Sequence, residues 1–248
     1  MERARRRRLV EELAAKIRRR RKDVRAIVLF GSVARGDDRP ASDVDVIVIA
    51  KRGPWEPQRF VLGGVLFNVY WKSWPTIMRE MLELRGDATR HGFLDGVELY
   101  DPEGLMRKLR KLVAALPESF ARACAKESLH EMYEYVCKAR NAWRSHDREN
   151  LVYAARVTAT HATTVVAILN RRHYASENTV WSGWRDFPDL PPKFSTLVSR
   201  IFIARLPDRR LYETTMAVWD ATRRWAARKG VRLHMVRSLP AIRAPKTT

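Results

Sequence analysis

Two apolar runs, Ala26–Phe30 and Val44–Ile49, flank a polar stretch, and the first half of the chain is read outward from them. Their length and β-branched content predict buried strands over 25–31 and 43–50. Upstream, Leu9, Val10, Leu13 and Ile17 recur at helical spacing among arginines, so residues 2–22 are expected to form an amphipathic helix packed on a sheet. Downstream, Arg59–Leu62 and Val65–Trp71 flank Gly63-Gly64 and read as a hairpin. Leu66, Asn68 and Tyr70 share one face of its second arm. Ser73 and Pro75 open a helix expected to reach about Leu84, 85–93 form a loop, Val97–Tyr100 is a short strand, and a helix from Asp101-Pro102 runs to about Leu116.

At Pro117 the pattern changes. Everything after it is mostly helical in period: Glu118–Arg144 with Phe120, Cys124, Met132, Val136 and Trp143 on one side, Asn150–Asn170, Lys193–Ala204, and Asp208–Lys229 ended by Gly230. Residues 173–192 are expected to be irregular. The fold class expected is thus α/β followed by all-α: a mixed sheet with helices over residues 1–116, then a helical bundle over 117–248.

Composition adds three constraints. Lysine and arginine total 48 against 28 acidic residues, a formal net charge of +20, which favours polyanionic partners such as nucleotides or RNA. Gln58 is the only glutamine, and scarce amides with abundant charge are expected of a thermophile, while the excess of arginine over lysine is equally expected of a GC-rich genome. No run of about 18 apolar residues is seen and the basic N-terminus has no apolar signal core behind it, so no membrane partner and a cytoplasmic location are expected. Cys124 and Cys137 fall in one expected helix, roughly 20 Å apart at about 1.5 Å per residue, too far for a disulfide.

The chemistry is concentrated where the two apolar runs meet. Gly31-Ser32-Val33-Ala34-Arg35-Gly36 follows the first, and Ser42-Asp43-Val44-Asp45 opens the second. Residues two apart on a strand point the same way, so Asp43 and Asp45 project together from an apolar element. Such a pair is costly unless a cation is bound, and hard cations such as Mg²⁺ prefer carboxylate oxygens. Gly31 permits a tight turn, Ser32 offers a hydroxyl and an amide to a phosphate, and Arg35 can neutralise phosphate charge. A phosphate cradle beside twin carboxylates is equipment for metal-assisted nucleotidyl transfer.

This pattern resembles the signature of the nucleotidyltransferase superfamily that includes DNA polymerase β. Over nearly its whole length the chain resembles the kanamycin nucleotidyltransferase family within it. Gly31–Arg35 and Ser42–Asp45 are similar to that family's phosphate-and-metal segment. His91-Gly92-Phe93 and Leu99–Gly104 resemble its link into the helical part. Glu131–Asn141 resembles its central active-site helix, and Asp189-Leu190-Pro191 and Trp219–Gly230 also fit. The resemblance implies a homodimer that uses NTP, with ATP the expected donor, and two Mg²⁺ held by Asp43 and Asp45. It implies that Gly31, Ser32, Arg35 and Ser42 contact the nucleotide, that Lys138 lies at its phosphates, and that Glu134 is the catalytic base. Asn68, His130 and Glu131 are expected in the acceptor pocket. Two positions depart from the family: Asn68 stands where a third carboxylate is common, and His130 where the helix carries an acid.

The expected activity is transfer of AMP from Mg-NTP to an acceptor hydroxyl with release of pyrophosphate. An RNA- or protein-modifying nucleotidyltransferase, or a catalytically weak nucleotide-binding regulatory protein of toxin–antitoxin type, are the alternatives.

Overall fold

The computed structural model describes residues 3–82, 94–176 and 179–233. The expected helix end at Leu84 and the His91-Gly92-Phe93 segment lie outside them. The chain divides into two compact units, one formed by the residues up to Cys124 with Val166–Leu190, the other by Ala125–Val165 with the residues from Pro191 onward. The division falls inside the long helix that follows Pro117.

The first unit is built on a five-stranded mixed sheet. Helix α1 (Arg3–Arg20) leads into β1 (Val24–Phe30), and a five-residue helix α2 (Gly31–Arg35) follows β1 directly. Then come β2 (Val44–Ala50), β3 (Gln58–Leu62), β4 (Val65–Lys72), α3 (Trp74–Leu82), β5 (Val97–Tyr100) and α4 (Leu105–Ala114). The strand order is β3-β4-β2-β1-β5. β1 pairs antiparallel with both β2 and β5, β4 pairs antiparallel with β3, and β2 and β4 run parallel.

Alternation along β1 and β2 separates two cores, because successive side chains leave opposite faces of the sheet. Ile27, Leu29, Val46 and Val48 pack under α1 with Val10, Ala14 and Ile17. Ala26, Val28, Ile47 and Ile49 pack on the other face with Ile77 and Met81 of α3 and Leu105, Met106 and Leu109 of α4. Of the expected α1 stripe, Val10 and Ile17 are buried, while Leu9 and Leu13 are partly buried at its margin. Asp101 caps α4, its carboxylate accepting from the amides of Leu105 and Met106 at 2.8 and 2.9 Å. Asn170 tethers the end of the Val166–Leu190 segment, donating to the carbonyl of Asp189 at 2.8 Å and accepting from its amide at 3.2 Å.

The second unit is helical. Its elements are most of α5 (Glu118–Arg144) and α6 (Arg148–Leu169), with α7 (Phe194–Ile203) and α8 (Asp208–Arg228). Met132, Val136, Leu151, Ala155, Ala159, Val198, Ile201, Val218 and Trp225 are buried in it. Aromatic pairs Tyr133–Trp219 and Trp143–Tyr212, with ring centroids 5.4 and 5.3 Å apart, join α5 to α8. Helix α6 is long and apolar enough to cross a membrane by length and composition, although Arg156 and His161 interrupt its apolar run; Leu151, Ala155, Ala159 and Ala162 on it are buried. Cys124 and Cys137 are not joined in a disulfide, in line with their spacing.

Candidate active site

The sheet register assembles the first group of expected residues. Asp45 sits opposite Phe30 across the β1–β2 ladder and opposite Asn68 across the parallel β2–β4 ladder. Asn68 is buried, and its amide nitrogen donates to Asp43 Oδ2 at 3.1 Å and to Asp45 Oδ1 at 3.0 Å. The residue expected at the acceptor side therefore bridges the two carboxylates. One neutral amide shared by two acids does not cancel their charge. Burial, and then the charge of Asp43, push the Asp45 carboxyl up to about 6, against a smaller downward pull from Asn68. Tyr70, two residues along the same face, is pushed up by burial and by Asp45.

Gly31 closes over this pair. Its φ is +75°, and a Cβ built on it would lie 2.9 Å from Asp45 Oδ2. Only glycine allows both the left-handed backbone and the close approach of the carboxylate. The turn continues through α2 to Gly36, where the amides of Gly36 and Asp37 donate to the carbonyl of Ser32 at 2.9 and 3.1 Å.

The other residues expected at the nucleotide have structural partners of their own. Arg35 Nη1 donates to the carbonyl of Ala175 at 2.7 Å, and Arg35 pairs with Asp37 at 3.3 Å. Ser42 closes the turn before the aspartates, its hydroxyl accepting from the amide of Arg39 at 2.8 Å. A buried arginine of α1 also belongs to this arrangement. Arg6 of α1 is fully buried; it pairs with Asp38 and donates to the carbonyls of Arg39 and Pro40 at 3.3 and 3.0 Å. Arg3 reaches the other oxygen of Asp38 at 2.8 Å. The loop that delivers Ser42 and Asp43 is thus pinned to α1. Nothing in an arginine-rich N-terminus distinguishes Arg6, except that it falls one turn before Val10 on the buried stripe.

In the helical unit, α5 carries the second group. Glu134 and Lys138, one turn apart, form an exposed ion pair at 2.7 Å. The pairing holds the Glu134 carboxyl below its ordinary value and raises that of Lys138, whose ammonium also lies 4.2 Å from the centre of the Tyr135 ring. Glu131 faces α6, where His161 Nδ1 is 3.5 Å from its carboxylate. His161 stacks on Tyr135 at 5.5 Å, and burial lowers its pKa against the smaller pull of Glu131 and Glu134. His130 is exposed, 3.9 Å from Glu127.

Among the described residues no group of three or more His, Cys, Asp or Glu side chains is assembled for a metal. The donor set that is present fits a hard divalent cation nonetheless. Two carboxylates share one face, one of them is held at about 6 by burial and by its neighbour, and a cation between them would relieve both effects.

A mixed sheet carrying paired carboxylates at a strand start, over a glycine turn, defines a nucleotidyltransferase. Residues 10–83 match the family described as nucleotidyltransferase domain, and residues 103–232 match the KNTase (kanamycin nucleotidyltransferase) C-terminal domain. The chain belongs to the kanamycin-nucleotidyltransferase-like family of nucleotidyltransferases. It is 22% identical over 223 residues to the aminoglycoside nucleotidyltransferase (4') of Staphylococcus aureus, covering 88% of each chain, and equally to that of a Bacillus species. A nucleotidyltransferase-like protein from Exiguobacterium sibiricum shares the fold, with a TM-score of 0.54 and 13% identity over 84% of this chain and 70% of that one.

Proposed function

We propose that the enzyme transfers AMP from ATP to an acceptor hydroxyl and releases pyrophosphate. The observation that carries this reading is the cluster of Asp43, Asp45 and Asn68 locked by the β2–β4 register beneath the Gly31 turn. Asp43 and Asp45 are the residues that would hold Mg²⁺, which when bound supplies Lewis-acid neutralisation of phosphate charge. Gly31 and Ser32 bind the triphosphate through the turn. Arg35, tied to Ala175, and Ser42, closing its own turn, contribute by holding the loop in shape.

On the acceptor side, Glu134 takes the hydroxyl proton and Lys138 balances charge on the phosphates. The acceptor oxygen bonds to the α-phosphorus as the bond from that phosphorus to the pyrophosphate oxygen breaks. An acid paired to a lysine is ionised at neutral pH and ready to accept a proton. Its basicity rises when the lysine turns to phosphate, and general-base help of this kind is worth about 10²–10⁴-fold. The working unit is a homodimer.

Relatives named for aminoglycosides take a polycationic acceptor. Here Asn68 and His130 stand at positions where acids are common, and the chain carries +20. Each missing carboxylate weakens attraction for a cation. The acceptor we assign is therefore a hydroxyl compound less cationic than an aminoglycoside. A pyrophosphate-release screen over four NTPs and a panel of aminoglycosides, neutral sugars and RNAs tests this. ATP-dependent release with a neutral acceptor, abolished in both Asp43→Asn and Asp45→Asn, is expected. Full release in those variants refutes the mechanism, and selective use of aminoglycosides refutes the acceptor assignment.

A further inference from the structure

The far end of the sheet carries a feature the transfer reaction does not use. β1 begins and β2 ends there, about 20 Å along the strand from Asp45 at ~3.3 Å per residue. The last turn of α1 arrives at the same end. The link between α1 and β1 is zipped to the end of β2: the amides of Lys51 and Arg52 donate to the carbonyl and carboxylate of Asp23 at 3.1 and 3.0 Å, and Arg21 Nη2 donates to the carbonyl of Arg52 at 2.7 Å. The outcome is a fixed platform from which Arg18, Arg19, Arg20, Lys22, Lys51 and Arg52 project, all exposed.

Two shallow depressions of about 380 and 520 Å³ lie on this platform, and Arg21 and Lys22 line both. Among the described residues the only acid lining them is Asp23, and it is spent inside the scaffold. Arg21 grips it through both oxygens at 2.9 and 3.0 Å, which holds its carboxyl at about 2. None of the six exposed cations has an ion-pair partner among the described residues. Some other basic side chains of the same unit do have carboxylate partners: Arg25 with Glu103, Lys72 with Glu80, Arg110 with Glu98. Completing the helix dipole asks for a basic residue or two in the last turn of α1, worth about 0.3–1 kcal/mol each. It does not ask for Lys51 and Arg52 to join them on a rigid frame.

Rigidity also distinguishes this patch from a solvated charge run. The Arg18 guanidinium lies 4.2 Å from the centre of the Tyr100 ring and that of Arg21 5.2 Å from the Trp71 ring. Stacked guanidinium groups lose less freedom when they meet a phosphate. Among the described residues none of the large exposed hydrophobics belongs to the platform, and an interfacial membrane site would present such side chains beside its cations. Unpaired cations spread over two neighbouring depressions match a repeating phosphate chain better than one phosphate group.

We infer that this platform binds the phosphodiester backbone of a nucleic acid, independently of sequence and apart from the Asp43–Asp45 pair. The inference does not depend on the proposed transfer reaction.

The test is fluorescence anisotropy with a labelled 20-nucleotide RNA from 50 to 300 mM salt, with DNA of the same sequence, inorganic polyphosphate and phosphatidylserine vesicles as further arms. The full chain is compared with the triple variant Arg19→Glu/Lys22→Glu/Arg52→Glu and with a control, Arg156→Glu/Arg205→Glu/Arg228→Glu. The control removes the same charge from exposed positions of the helical unit. The parent is expected to bind with a micromolar Kd or tighter. The platform variant should lose at least ~10-fold in affinity at 150 mM salt. Its slope of log K against log salt should be shallower by about 0.7 for each phosphate of the single strand that it no longer neutralises. The control should stay within about threefold, and both variants should melt cooperatively. RNA bound more tightly than DNA names RNA as the partner, and equal binding leaves the backbone reading as it stands. Equal losses in the two triples would make the binding a property of net charge and overturn the platform. Binding only to polyphosphate, or only to vesicles, would overturn it too.

Discussion

Asp45→Asn should make the metal-free protein more stable while ending its activity. The Asp45 carboxyl titrates at about 6 in the folded chain and near its ordinary 3.8 when unfolded. Below about pH 4 it is protonated in both states and contributes nothing. Between about pH 4 and 6 the folded chain keeps a proton that the unfolded chain loses, so stability falls as pH rises. Above about 6 the whole penalty is present, on the order of 3 kcal/mol from a displacement of about two pH units. Asparagine keeps an acceptor for the Asn68 amide and removes both the buried charge and its repulsion with Asp43. Urea unfolding of parent and variant, in chelator, at pH 4, 6 and 8 reads the difference directly. The variant should gain little at pH 4 and about 2–3 kcal/mol at pH 8, where saturating Mg²⁺ should stabilise the parent and not the variant. A difference that is the same at pH 4 and pH 8, or a variant less stable than its parent at pH 8, would refute the account of a carboxylate held in a cation's place.

Three further outcomes follow from the same geometry. Gly31→Ala places a Cβ 2.9 Å from Asp45 Oδ2 at a φ of +75°, so it should cost at least about 1–2 kcal/mol in urea unfolding and displace the carboxylate, lowering pyrophosphate release more than tenfold. Arg6→Ala leaves Asp38 buried with Arg3 as its remaining cation and should cost about 3 kcal/mol; Arg6→Lys, which keeps the charge and loses the fork to Arg39 and Pro40, should fall between. Co-expressed Asp45→Asn and Glu134→Gln chains, each inactive alone, should regain about a quarter of parental activity if the protein works as a homodimer whose every active site draws Asp45 from one chain and Glu134 from the other. No regain at any mixing ratio refutes that sharing.

The grouping of Asp43 and Asp45 beneath the Gly31 turn was legible in the sequence. Asp43 and Asp45 share a face because strand side chains alternate, and the break in apolar pattern at Gly31 marks a turn without reference to the rest of the chain. Strand and helix positions in the sheet unit followed for the same local reason, to within a residue or two at most ends. What was illegible involved partners far apart in sequence. Asn68 stands at the third-carboxylate position, but that its amide bridges Asp43 and Asp45 depends on β4 returning parallel to β2 after the β3 hairpin arm. Arg35 was expected at phosphate and donates to Ala175, 140 residues away. Arg6 looked like one more basic residue on a basic helix until its burial against Asp38 was seen.

Sequence alone therefore determined where the strands and helices run and which way each turns its residues, since periodicity and turn chemistry act over a few residues. Tertiary structure decided what each of those residues touches. Strand order, register and helix docking follow from burying two faces of one sheet together, and that choice is made by the whole core at once. It placed an amide between the two carboxylates beneath Gly31, and it gathered cations from two separate segments at the opposite end of the same strands.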